Sequence, residues 1–386
     1  MSSRLPRPSA LSDYRLLGPI APLVTDPKID EVMVMGPDMV YVEVDGHIHL
    51  TEARFASVEE LMHVMRSIVE SVGRRLDDES PICDARLADG SRVHAVIPPI
   101  AVDAPMLTIR KFARDPFTEA DLIELGSCTP AGFGFLKSCV YARANILISG
   151  GAGTGKTTLL NVLSGYIPHQ ARIVTVEDAA ELQLRQRHVA RLESRPPDSD
   201  GRKQVTIRDL VITSLRMRPD RIVVGEVRGP EALDMLQAMN TGHEGSMTTL
   251  HANKPRDALN RLETLVMMAG LDLPMKAIRQ QIASAFNILV HLDRMRDGCR
   301  RVVHISEITG MEDDVITTQD IFRFTAGGTT PDGRVIGTFE PTGLRPRILE
   351  RLPQIGMPTP PEIADLFPPV GPRMPVQRPG ISRIRS

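Results

Sequence analysis

The 386-residue chain carries 46 Lys+Arg against 48 Asp+Glu, a formal net charge of -2, so no global charge draws it to nucleic acid. Aromatic residues make up 4% of it and Trp is absent, which argues against a base-stacking platform for single strands. Its four cysteines, Cys83, Cys128, Cys139 and Cys299, form no CxxC pair, which argues against a disulfide framework or a four-cysteine zinc site.

The first residues, 1–27, are rich in Pro and Ser and read as a flexible leader without the apolar core of a signal peptide. EVMVM (31–35) and MVYVEV (39–44) are short strands around the turn Gly36-Pro37-Asp38, and Asp45-Gly46 turns the chain again into HIHL. SVEELMHVMRSIVESVG (57–73) predicts a helix. Ser57 and Glu60 stand at capping-box spacing, and Leu61, Val64, Met65, Ile68, Val69 and Val72 form one apolar stripe. RVHAVIPPI (92–100) and PMLTIRKF (105–112) are strand-like, so residues 28–115 read as an α+β domain. A linker with a short helix follows over 116–131.

From residue 132 the texture is βα alternation, which predicts a mostly parallel sheet covered on both faces. ANILISG, RIVTVED, RIVVGEV and SMTTLHA are its strands, and helices are expected over 206–220, 229–242, 255–270 and 274–285. Short strands fill the stretch from about 286 to 350. Residues 351–386 are Pro-rich and read as a segment with a mobile tail. No apolar run reaches the roughly 18 residues of a spanning helix, so a cytoplasmic protein is expected.

GGAGTGKTT (150–158) follows the strand ILIS and opens a helix-forming run. It satisfies G-x-x-x-x-G-K-[ST] through Gly150, Gly155, Lys156 and Thr157, with Gly151, Ala152, Gly153, Thr154 and Thr158 completing the loop. Glycines let backbone N–H groups turn inward as an anion nest, and the helix N-terminus adds donors. Lys156 is expected on the β/γ-phosphates and Thr157 on Mg²⁺, so ATP and Mg²⁺ are the implied cofactors. A phosphate loop also needs acids at strand ends to hold the metal and place water. Glu177 in VTVEDAAEL and Glu226 in RIVVGEVRG each follow an apolar strand. Glu177 is favoured as the base, and Glu226 as a metal support acting partly through water, with Asp178 a weaker candidate. In GHEGSMTTLHAN (242–253), His243 and His251 are open to three roles: metal ligand, general base or phosphate sensor.

With these motifs in place, the chain resembles the traffic ATPases of secretion and pilus assembly, and most nearly the CpaF/TadA ATPases of tight-adherence (Flp-type) pili. Four stretches carry the resemblance: GGAGTGKTTLLN, RIVTVEDAAELQL, LRMRPDRIVVGEVRGPEALDMLQAMNTGH and GSMTTLHANKPRDALNRLE. ARLADGSRVHAVIPP and LTIRKF match in the first domain. The resemblance implies a RecA-like ATPase domain behind a smaller, PAS-like α+β domain. It also implies a cytoplasmic homo-hexamer, peripherally associated with the inner membrane and working on polytopic platform proteins, with no direct nucleic acid. It implies Walker A at 150–157, an acidic box around Glu177-Asp178, Walker B ending at Glu226, and a histidine box with both His243 and His251 as sensors. Arginines are expected to close the site, at Arg86, Arg92 and Arg110 in the first domain and Arg185, Arg191 and Arg228 in the second. The expected function is ATP hydrolysis that powers pilus assembly or retraction. A conjugative-transfer or type IV secretion ATPase is the alternative, and a nucleic-acid motor a more distant one. A metal-dependent hydrolase built on His243, Glu244 and His251 is disfavoured by their spacing, which crosses a glycine into a strand.

Overall fold

A computed structural model describes residues 14–44, 46–87, 89–112, 116–197 and 202–368. The expected turn residue Asp45, the first part of the leader and the tail beyond 368 lie outside the described residues. Contacts divide the chain into two compact units.

The first unit holds Met1–Phe117, Val174–Gln183 and Ala190–Met217. A 3₁₀ segment, Tyr14–Ile20, leads into α1 (Ala21–Thr25). Leu17, Ile20 and Val24 recur at helical spacing and are buried, so this part of the leader is folded into the core, not flexible. The strands β1 (Glu31–Met35), β2 (Met39–Val44) and β3 (His47–Leu50) precede α2 (Val58–Ser71). They are followed by β4 (Ile82–Arg86), β5 (Arg92–Val96) and β6 (Met106–Arg110). These six strands form an antiparallel sheet in the order β3-β2-β1-β6-β5-β4. Alternation sends Val32, Val34, Val40, Val93, Leu107 and Ile109 into one core with Leu61, Met65 and Ile68 of α2. Ser57 Oγ accepts the Glu60 N–H, as the cap spacing predicts. Glu60 reaches back one residue further than a capping box requires, to the Ala56 N–H.

The first unit also takes in nearly all of β8 (Ile173–Glu177) and β9 (Val189–Glu193), together with α6 (Ile207–Leu215). α6 opens on a complete capping box between Thr206 and Asp209.

The second unit holds α3 (Glu119–Glu124), α4 (Pro130–Tyr141), β7 (Ile146–Gly150) and α5 (Lys156–Gly165). It continues with β10 (Arg221–Val224), α7 (Glu231–Asn240), β11 (Met247–His251), α8 (Pro255–Met267) and α9 (Met275–Ala285). β12 (Ile288–Arg294), β13 (Arg300–Glu312), β14 (Val315–Thr329) and β15 (Val335–Pro341) follow, then α10 (Arg351–Gln354) and α11 (Pro361–Leu366). Its strands run in the order β15-β14-β13-β12-β7-β11-β10. β12, β7, β11 and β10 are parallel, and the hairpins from β12 to β15 are antiparallel. β7 and β10 are buried along their whole length, which is why their sequences, the buried Ser149 and Arg221 aside, are apolar without alternation. β10 stops at Val224, so Glu226 stands in the turn beyond it.

The Pro-rich segment is anchored at Ile363 and Phe367, both buried. Phe367 joins Phe135 of α4 and Phe322 of β14 in a ring cluster with centroids 5.7–5.8 Å apart. Among the described residues no helix is long and apolar enough to cross a membrane. Because the Phe135 ring is fully buried in that cluster, Phe135→Ala is expected to destabilise the second unit by about 3–5 kcal/mol. Denaturant unfolding checks this, and a loss below about 1 kcal/mol contradicts the packing.

Candidate nucleotide site

The loop after β7 is built from close approaches. A Cβ placed on Gly150 would lie 2.6 Å from both the Leu292 carbonyl oxygen and Thr154 Oγ1, so only hydrogen fits there. Gly153 (φ 68°) and Gly155 (φ 90°) adopt left-handed backbone, which costs glycine little and other residues more. The Thr154 hydroxyl donates to the Gly151 carbonyl at 3.0 Å and ties the loop to itself. Ala152 and Gly153 are exposed at its crest, while Thr157 and Thr158 are half-buried in the first turn of α5. The tight glycine cradle, the left-handed turns and a helix N-terminus of 10 residues fit a phosphate chain.

Lys156 opens α5 and is buried, its ammonium donating to the Gly151 carbonyl at 2.7 Å. The same ammonium lies 3.4 Å from His251 Nδ1. Register explains the meeting: β11 lies beside β7 in parallel, with His251 opposite Gly150. His251 Nε2 in turn lies 3.2 Å from Glu226 Oε1, and the Arg228 guanidinium donates to Glu226 Oε2 at 2.9 Å. The turn carrying Glu226 is stitched to β11, because Thr249 Oγ1 donates to the Gly225 carbonyl and the Val227 N–H to the Thr249 carbonyl. Lys156, His251, Glu226 and Arg228 therefore form one chain of polar contacts at the carboxyl ends of β7, β11 and β10.

Burial lowers the Lys156 pKa, with Glu226 opposing the shift. Burial also lowers the His251 pKa below 6.5, with Glu226 opposing and Lys156 adding to the shift. A neutral imidazole that accepts at Nδ1 from Lys156 carries its proton on Nε2, facing Glu226.

His243 stands elsewhere. Its Nδ1 lies 3.2 Å from the Ala238 carbonyl, at the end of α7 and before β11 begins. His251 ends that strand, so roughly 13 Å of extended chain separates the strand's two ends. The two histidines do not share a face for a metal. Thr248 is buried within the strand, and Arg185 is exposed in the second unit.

The remaining candidates belong to the first unit. Glu177 is buried at the end of β8, where Oε2 accepts the Glu181 and Leu182 N–H groups at 2.7 and 2.8 Å. Its Oε1 is buried with no hydrogen-bond partner of good geometry among the described residues, and burial raises the pKa of the carboxyl. Arg86, Arg92 and Arg110 are successive register partners across β4, β5 and β6, so three guanidinium groups share one row. Arg86 pairs with Glu193 and donates to the Ala180 carbonyl at 2.7 Å. Arg191 reaches the same carbonyl at 3.0 Å, and Arg92 pairs with Glu181 at 3.0 Å. Arg110 faces Glu31 across the row.

Glu231 was not singled out by motif reasoning. It is buried at the first position of α7, where its Oε1 accepts the Arg228 N–H at 2.7 Å and the Gly229 N–H at 2.9 Å. It folds the turn that presents Glu226 and Arg228. The available signal was an acid in the first turn of a helix directly after Gly-Pro. Glu231→Ala leaves the buried Gly229 N–H and the half-buried Arg228 N–H unpaired and is expected to cost about 1–3 kcal/mol of stability. The same change is expected to reduce hydrolysis. Unchanged melting and unchanged turnover together contradict this role.

Comparison with known proteins follows the same lines. Residues 14–330 match the family model described as type II/IV secretion system protein. A putative conjugal transfer protein of Mycobacterium tuberculosis is 38% identical over 328 residues, covering 79% of this chain and 93% of the relative. The conjugal transfer protein TrbB of Rhizobium radiobacter is 34% identical over 299 residues, covering 76% and 88%. Among solved structures, the Yersinia pseudotuberculosis ATPase DotB superposes with a TM-score of 0.54 at 16% identity, covering 81% of this chain and 83% of that one. That likeness establishes the RecA-like fold.

Proposed function

Since the chain belongs to the type II/IV secretion system protein family of ATP-hydrolysing motors, we propose that it powers a conjugal-transfer or type IV secretion machine. The observation that carries the proposal is the contact chain from Lys156 through His251 to Glu226 beside a glycine-tight phosphate loop. The relatives named for conjugal transfer support this machine over the tight-adherence pilus, which rests on the motif strings alone. ATP is the substrate. The family implies a homo-hexamer that works against membrane-embedded platform proteins.

Each residue takes a part that its environment suits. Lys156 neutralises the β/γ-phosphates. Thr157 would hold Mg²⁺ directly and Glu226 through water. When bound, the ion supplies further neutralisation of phosphate charge. Glu177 has an oxygen with no hydrogen-bond partner of good geometry among the described residues and a raised pKa, which suit a carboxyl that takes up a proton. Both oxygens of Glu226 are engaged by His251 and Arg228, which suits support over proton transfer. His251 links the lysine that meets phosphate to the acid beneath it and reports whether the γ-phosphate is present. His243 is left as a cap on α7.

The test is ATP turnover and nucleotide binding by the purified full chain. Lys156→Ala is expected to abolish both. Glu177→Gln and Glu226→Gln are expected to keep binding and lose roughly 100-fold or more in kcat. Full turnover by Lys156→Ala sinks the motor assignment. A wild-type gene neighbourhood of prepilin and prepilin peptidase, in place of mating-pore genes, would move the machine to the pilus.

A further inference from the structure

β12 and β13 form a hairpin whose turn lies at the phosphate-loop end of the second unit's sheet. β12 runs parallel to β7 with Leu292 opposite Gly150, so Asp293 and Arg294 continue past the point where β7 gives way to the loop. The returning strand starts at Arg300, directly opposite Arg294. Like charges facing each other across an antiparallel pair destabilise it. Both arginines are exposed, and Arg300 comes up against the loop: a Cβ on Gly155 would lie 3.8 Å from Arg300 Cδ.

The turn that presents Arg300 is fixed. Asp297 accepts the Cys299 N–H at 3.0 Å and the Val335 N–H at 2.7 Å, and the Val335 bond leads the causes that lower its pKa. The Val302 N–H donates to the Ser127 carbonyl at 2.8 Å. The neighbouring Arg301 is engaged, with its guanidinium 5.2 Å over the Phe324 ring and 3.8 Å from Asp297. The Arg300 side chain makes no hydrogen bond or ion pair among the described residues. A rigid hairpin thus holds an uncompensated guanidinium against the glycine that precedes Lys156.

We propose that Arg300 binds the phosphate chain of the nucleotide from the β12 flank, at the phosphates that ATP and ADP share. The strand order β12-β7-β11 sets Arg300 on one side of the loop and His251 with Glu226 on the other. The γ-phosphate end is served from β11, and Arg300 holds the end that remains after hydrolysis. The proposal rests on the nucleotide assignment above and adds a residue that the phosphate-loop motif does not contain.

The experiment measures ADP affinity by titration calorimetry, and steady-state ATP turnover, for the full wild-type chain, Arg300→Ala and Arg300→Lys. Arg300→Ala is expected to weaken ADP about tenfold and to raise the KM for ATP by a similar factor. Its kcat should stay within about twofold of wild type, and Arg300→Lys should recover part of the ADP affinity. Arg300 is exposed, so melting should match wild type. ADP affinity unchanged in Arg300→Ala overturns the proposal, as does a loss confined to kcat. Wild-type protein that fails to bind ADP overturns the nucleotide assignment itself, which separates the two failures.

Discussion

The close approach at Gly150 is the constraint on which the site depends. β7 is hemmed by β12 on one side and β11 on the other, with Leu292 and His251 both in register with that glycine. A methyl group there would meet the Leu292 carbonyl at 2.6 Å. Backbone cannot yield as a flexible side chain can, so the phosphate loop must start where it does. That start places Lys156 six residues later, at the opening of α5, and parallel register delivers His251 beside it. Motif and neighbouring strand are thus two consequences of one packing requirement.

From this point charge is arranged in a line. An ammonium partly stripped of water, an imidazole whose pKa burial lowers and a carboxyl held by a guanidinium follow each other. Each member limits what the next can do. Where His251 Nδ1 accepts from Lys156, the imidazole proton stands on Nε2, which faces Glu226. On the proposed reading, a phosphate arriving at Lys156 would compete with the Gly151 carbonyl and with His251 for the ammonium. Low local polarity strengthens these contacts and makes unpaired members costly.

Much of this was legible in the sequence because it depends on local rules. The glycine spacing of the loop, the apolar runs of β7, β8, β10 and β11, and the caps at Ser57 and Thr206 are short-range features. What was not legible depends on partners distant along the chain. β4 and β9 have too little alternation to stand out, with one buried residue in β4 and none in β9. Leu17, Ile20 and Val24 are interrupted by Gly18, Pro19 and Pro22, which suggest a leader, yet the core needs them. His243 and His251 look alike in one short motif, and only the direction of β11 sends them to opposite ends. Glu231 carries no signal in sequence beyond an acid in a helix's first turn, and its buried carboxylate folds the Arg228-Gly229 turn. The resemblance to tight-adherence pilus ATPases led to the right superfamily. Its named relatives lean toward conjugal transfer, because the motifs that power the motor are common to machines that differ elsewhere.

The central claim is that His251 and Glu226 act as one unit on hydrolysis. A double-mutant cycle on kcat tests it most directly, using His251→Ala, Glu226→Gln and the pair. Acting as a unit, the pair should lose little more than the worse single change, with ADP affinity kept in all three. Losses that simply multiply, giving the product of the two single effects, would contradict the account.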